Sequence, residues 1–176
     1  MNTFLGFYVG VPKTVLYGSL FLLVVVSIVI IKNRFRLTDY IRNIVFLVLA
    51  ELLFLILCAT VVYRQSFGYY KINVIPYFDY IERIKANKYY DVWEIYLNIA
   101  LFIPIGLLLY YLYNISRWKE CLLTCVCISL CIEFLQLLLQ KGLCEVNDVI
   151  HNTLGCVIGM IFFLLIYKVK QRIKKQ

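Results

Sequence analysis

The alternation of apolar and polar positions divides the chain into five long apolar stretches joined by short polar connections. They run from about Thr14 to Ile31, Ile44 to Tyr63, Trp93 to Tyr113, Cys121 to Gln140 and Val149 to Tyr167. Each comes close to the roughly 20 residues a helix needs to cross a hydrocarbon core. The run LFLLVVVSIVII is apolar on every side, whereas a membrane strand alternates with period 2, so the stretches read as helices. The expected fold is an all-α integral membrane protein, a bundle of about five transmembrane helices forming a single membrane domain over residues 1–176. The one sizeable connection, Arg64 to Val92, is too small for a separate folded domain. Within it KINVIPYFDYI is apolar and aromatic but too short to span. It is expected to lie in the interface, with Tyr77, Phe78 and Tyr80 at headgroup depth, or to re-enter the membrane as a lid.

Composition agrees with that pattern. Of 176 residues 63% are hydrophobic and 16% charged, against about 45–50% and about 25% in soluble domains. Lys32, Arg34 and Arg36 close the first stretch as a stop rather than a cleavage site. The net charge of +8 raises the question of a nucleic-acid partner, but its distribution argues for topology instead. Lys and Arg in short loops stay cytoplasmic. One set of connections holds Lys32, Arg34, Arg36, Arg42, Arg117, Lys119 and the run KVKQRIKKQ; the other, poorer set holds Lys13, Arg64, Lys71, Arg83, Lys85, Lys88 and Lys141. The N-terminus is therefore expected outside and the C-terminus in the cytoplasm. The run KVKQRIKKQ reads as a topology anchor, with binding to anionic inner-leaflet lipid as the alternative. Most of the seven cysteines fall inside proposed spans, where cysteine behaves as a small hydrophobe. No disulfide framework, metal site or cofactor is expected, and His151 reads as a satisfied helix-end histidine.

Polar residues inside apolar helices carry more information, because an acid at a helix centre costs on the order of 2.5–3.5 kcal/mol to insert and usually faces the protein interior. The third stretch contains Glu94, Asn98, Pro104 and Gly106. Pro104 has no amide hydrogen, so the Ala100 carbonyl loses its helical donor. In the fourth, Glu133, Gln136 and Gln140 share a helix face. In the fifth, Asp148, Asn152, Gly155 and Gly159 share a face, with Thr153 beside Asn152. Asp148 or Asn147 also suits a helix N-terminus. On the inferred topology Asn98, Glu133 and Asn152 lie at similar depth near the outer leaflet and form one expected polar cluster.

Four segments in order carry a resemblance. Asn73-Val74-Ile75-Pro76-Tyr77 is followed by Asn98-Ile99-Ala100-Leu101-Phe102-Ile103-Pro104-Ile105-Gly106, then Glu133-Phe134-Leu135-Gln136, then Asp148-Val149-Ile150-His151-Asn152-Thr153-Leu154-Gly155. Residues 70–160 thereby resemble the VanZ-like family of bacterial membrane proteins, with its N-L-I-P-F, N-x-x-x-F-x-P-x-G, E-x-x-Q and D-x-x-x-N-T-x-G elements. Departures are Val74 and Tyr77 for Leu and Phe, Asn147 where an Asp often precedes the acid, and Lys141 near a common Arg. The resemblance implies a multi-pass protein of the bacterial cell membrane, linked to reduced susceptibility to teicoplanin-type glycopeptide antibiotics that act on lipid-linked wall precursors of the cell envelope.

The leading functional expectation is an outward-facing intramembrane site that binds or remodels a membrane lipid or lipid-linked wall precursor. Its substrate-binding candidates are Asn98, Glu133, Gln136, Asp148, Asn152 and Thr153. Asn73, Pro76, Phe102, Pro104, Gly106, Gly155 and Gly159 are the structural motif residues. The second expectation is an intramembrane enzyme with Glu133 or Asp148 as general acid or base, although no obvious nucleophile, metal set or phosphate loop supports it. A transporter, a helper subunit of a membrane complex and a homo-oligomer are further alternatives. Glu51, in the second stretch, has no place in this scheme.

Overall fold

A computed structural model of the chain describes residues 11–32, 37–66, 68–70, 72–77 and 92–175. The chain forms an all-α membrane protein; among the described residues there are five α-helices, four of them long and apolar enough to cross a membrane. It divides into two compact units, residues 1–65 and 66–176.

The first unit is a helix pair. Helix α1 spans Lys13–Lys32 and α2 spans Leu37–Leu57, continued by one π-helical turn, Cys58–Val62. That turn closes with the Tyr63 amide donating to the Cys58 carbonyl at 2.9 Å. Hydroxyls inside these apolar helices find partners one turn back along the same helix: Ser27 donates to the Leu23 carbonyl at 2.7 Å and Thr60 to the Ile56 carbonyl at 2.8 Å. In hydrocarbon every polar group must be satisfied internally, and this local back-bond does so without a neighbouring helix.

The second unit holds α3 (Val92–Tyr113), α4 (Trp118–Leu138) and α5 (Val146–Ile173), with two-residue strands β1 (Ile72–Asn73) and β2 (Cys144–Glu145). The strands pair in parallel, Ile72 against Cys144 and Asn73 against Glu145. The segment before α3 is thus hydrogen-bonded to the turn between α4 and α5. The expected interfacial or re-entrant loop is at this point a short strand, with Val74 to Tyr77 exposed. Phe78 and Tyr80 lie outside the described residues.

Helices α3 and α5 make the closest helix pairing of the unit, because three glycines remove side chains where the backbones meet. A Cβ on Gly106 would overlap the Cys156 backbone, one on Gly155 the Ile99 carbonyl, and one on Gly159 the Ile103 carbonyl. Gly155 and Gly159 are four apart, the small-xxx-small spacing that lets membrane helices approach closely. Phe102 is buried beside Gly155. Pro104 sits inside α3 without ending it. At the far end of the pair, Tyr110 meets Phe163 edge-on with ring centres 5.5 Å apart and donates its hydroxyl to the Ile115 carbonyl at 2.9 Å. The Tyr113 and Thr124 hydroxyls share a 2.8 Å hydrogen bond that fastens α3 to α4.

Several helix ends differ from the apolar stretches. Helix α2 begins at Leu37 rather than Ile44, and α5 runs to Ile173 rather than Tyr167. Hydropathy reports where hydrocarbon ends, whereas a helix continues into water while its backbone bonds hold. In α4 the helix stops at Leu138, so Gln140 does not extend the face of Glu133 and Gln136. It occupies a left-handed position (φ 55°) in the following turn, where its carbonyl accepts a hydrogen bond from the Ser66 hydroxyl. All seven cysteines are free thiols.

Candidate functional site

The site is built around the start of α5. The capping residue is Glu145, whose backbone is extended (φ −118°, ψ 129°) and whose side chain does not cap. The first amides of a helix lack intrahelical partners. Here one is satisfied from another helix: the Glu145 amide donates to Glu133 Oε2 of α4 at 3.1 Å. Glu133 is only 3% exposed. A carboxylate at a helix N-terminus is stabilised by the free amides and the helix dipole, so α5 supplies a reason for α4 to carry an acid at this depth.

Three further bonds converge on the first two turns of α5. Asn98 of α3 donates its amide to Asp148 Oδ1 at 2.8 Å. Asn152 donates to the Ser129 hydroxyl of α4 at 2.8 Å. Asn147 accepts at Oδ1 from the Tyr77 amide at 3.1 Å. Asn147, Asn152 and Ser129 are all buried. The segment leading to Tyr77 is itself shaped by Asn73, whose Oδ1 accepts from the Ile75 amide at 3.3 Å. That side-chain turn sits just before Pro76, and Tyr77 takes a left-handed conformation (φ 61°) immediately after it.

The sequence-derived candidates thus fall into one region with distinct roles. Asn98, Glu133, Asp148 and Asn152 belong to three different helices yet all bond at or within seven residues of Glu145. At 1.5 Å per residue Asn98, Glu133 and Asn152 sit about 7–9 Å inside their helix ends. Gln136 is buried one turn from Glu133, and its backbone carbonyl accepts from the Lys141 amide at 2.8 Å. Thr153 is half-buried, 100° around α5 from Asn152. His151 is buried within the second turn of α5 rather than at the helix end. Asp148 is not the helix cap; it lies in the first turn and pairs across to α3. The side chain of Glu94 lies outside the described residues.

Three participants are not among the substrate-binding or motif residues expected from the sequence. Ser129 precedes Glu133 by one helical turn, a spacing that could have marked it. Asn147 looks like a departure from an acidic pattern but holds the Pro76 segment. At Cys144 burial first, then the charges of the Glu133 and Asp148 carboxylates, push the thiol above the ordinary cysteine range. Among the described residues no group of three or more His, Cys, Asp and Glu is placed to hold a metal ion. Chemically, the arrangement offers two carboxylates, three carboxamides and a hydroxyl, buried or half-buried around the start of α5. The Asn152 Oδ1 is buried without a hydrogen-bond donor, a position a hydroxyl, an amine or a water would satisfy.

In a variant retaining only Cys144, maleimide labelling at neutral pH will be slower than for a free thiol and will accelerate only at higher pH, because the reactive thiolate forms above its usual range. Adding Glu133→Gln will move that midpoint down, though only in part since burial is the larger cause; an unchanged midpoint would show that no Glu133 charge lies beside the thiol. Asn147→Ala removes the acceptor for the Tyr77 amide, a loss of about 1 kcal/mol. Hydrogen exchange of the Tyr77 amide should speed up roughly five-fold or more while α3 and α5 amides stay protected; equal loss of protection everywhere would make Asn147 a general packing residue.

A family model described as VanZ/LLP1 matches residues 44–167. No curated protein and no solved structure matches the chain.

Proposed function

The chain belongs to the VanZ/LLP1 family, and we propose that its polar cluster binds or remodels a lipid-linked component of the bacterial cell envelope. The observation that carries this reading is the convergence of Asn98, Glu133, Asp148 and Asn152 from three helices at the start of α5. Helix packing alone is served by the glycines of the α3–α5 contact and does not need this many polar groups. Acids and amides at membrane depth are costly and mark functional positions. In this reading the α5 start faces the outer leaflet, with the C-terminal end of the helix in the cytoplasm, so the cluster meets headgroups of that leaflet. The Asn73–Tyr77 segment lies over it as a cover, and Asn152 Oδ1 accepts from a hydroxyl or amine of the bound headgroup.

A second reading has its own observation. Ser129 Oγ is fully buried against Asn152 and one turn from Glu133, which supplies the candidate nucleophile missing from the sequence for an intramembrane enzyme. Glu133 would then act as general base, taking the Ser129 proton as Oγ attacks an ester carbonyl of the lipid and returning it to the departing alcohol oxygen, so that the acyl group passes to Ser129 and is released by water. This reading ranks second because the Glu133 carboxylate is already engaged by the Glu145 amide.

Expression of the chain in a teicoplanin-susceptible bacterium tests the drug link that family membership suggests. Raised tolerance that is lost in Glu133→Gln and Asn152→Ala, with no further loss in the double variant, supports one site, since groups acting together are not additive. Additive losses from the two variants would point to separate helix contacts, and unchanged susceptibility with wild type would remove the teicoplanin part of the proposal.

A further inference from the structure

The end of α5 opposite the polar cluster carries a surface of its own. At 1.5 Å per residue its 28 residues extend about 42 Å, against a hydrocarbon core of about 30 Å. The excess falls largely after Tyr167, where the apolar stretch ends. Lys168, Lys170, Arg172, Lys174 and Lys175 follow, all exposed, with no acid anywhere in α5 after Asp148. At 100° per residue Lys168 and Arg172 share one face within about 40°, Lys170 and the C-capping Lys174 share another, and Lys175 lies in the turn after the helix. Between them runs a stripe of exposed apolar side chains, Ile166, Val169 and Ile173.

A topology signal or a complement to the helix dipole needs only a few cations near the last turn. This segment does more: it stays helical for six residues beyond Tyr167, holds most of its cations on two flanks, and keeps an apolar stripe between them. The same helix spans the bilayer, so continuity of the backbone holds the cations at the headgroup layer. Their long stems can run along apolar surface while the charges reach phosphate. We infer that residues 166–175 form an anionic-phospholipid binding surface on the leaflet from which α5 emerges. It is independent of the polar cluster and of any activity there.

The test is lipid selectivity of the full chain. Protein reconstituted into vesicles of equal phosphatidylcholine and phosphatidylglycerol is re-extracted in mild detergent, and the retained lipids are measured. Retained phosphatidylglycerol should exceed its bulk share on the order of two- to five-fold, consistent with multiple cations at an anionic surface. The preference should fall towards the bulk ratio when Lys168, Lys170, Arg172, Lys174 and Lys175 are all replaced by Gln, and should persist when the four lysines become Arg. High salt during extraction should weaken it in the wild type, which decides the matter even if the Gln variant fails to accumulate. Inorganic phosphate at constant ionic strength should not displace it. A wild-type ratio equal to bulk, a preference retained in the Gln variant, insensitivity to salt, or displacement by free phosphate would each overturn the inference.

Discussion

Gly159→Leu will prevent stable assembly of α3 against α5. A Cβ at this position would overlap the Ile103 carbonyl and lie 2.7 Å from the Leu107 amide nitrogen, so the obstacle is backbone and cannot swing aside. Over-packing a tight contact commonly costs about 1–3 kcal/mol, and a leucine against helix backbone belongs at or above the upper end. The expected result is a large fall in accumulated protein and in the melting temperature of the purified chain. Gly18→Leu in α1 is the matched control, since nothing lies within 4 Å of a Cβ there; it adds the same apolar volume and should leave both values unchanged. Gly106→Leu and Gly155→Leu should behave like Gly159→Leu. Equal melting temperatures for Gly159→Leu and Gly18→Leu would contradict the close α3–α5 crossing on which the placement of Asn98 beside Asp148 depends.

Glu133 carries the second large effect. Replacement by Ala removes the acceptor for the Glu145 amide and leaves the start of α5 without that partner, at a cost of about 1–3 kcal/mol. Gln keeps the shape and an acceptor oxygen, so Glu133→Gln should lie close to wild type in stability. Thermal unfolding and limited proteolysis of the α4–α5 turn will separate the two: the Ala variant melts earlier and is cut faster, the Gln variant is not. If Gln is as damaging as Ala, the negative charge itself holds the helix start. If neither variant changes stability, the Glu133–Glu145 bond does not anchor α5.

The sequence makes the helices legible because an apolar stretch of about 20 residues has few alternatives. It is weaker on their ends. Leu37-Thr38-Asp39 opens α2 and Lys168–Ile173 continues α5 in polar sequence, where hydropathy is silent and backbone hydrogen bonding decides. The acids and amides of the site are legible one helix at a time through their shared faces. Their pairing is not: Asn98 and Asp148 are 50 residues apart, and only the glycine notch between α3 and α5 determines that they meet. Ser129 was hidden by its ordinariness. Ser27 shows how a serine in an apolar helix satisfies itself on its own backbone, and nothing in the sequence says that the Ser129 hydroxyl accepts from Asn152 of another helix. Two-residue strands have no periodicity to read, so the β1–β2 pairing that holds the segment before Pro76 against the α4–α5 turn is out of reach. Asn147 reads as a variation on an acidic motif until the Tyr77 amide is seen to donate to it.

The central claim is that these polar groups form one site for a lipid-linked ligand, and the lipids that travel with the protein test it most directly. Wild type, Glu133→Gln and Asn152→Ala would be purified in mild detergent from a bacterial membrane, matched for yield and melting temperature, and their bound lipids identified by mass spectrometry. The expected result is a lipid-linked envelope species retained at near-stoichiometric amount by wild type and depleted on the order of ten-fold or more by both variants, as loss of a buried polar contact worth about 1.4 kcal/mol or more would produce. Retention of the same lipids in the same amounts by all three proteins would contradict the claim, and would leave the cluster as the polar bonding that joins α3, α4 and α5.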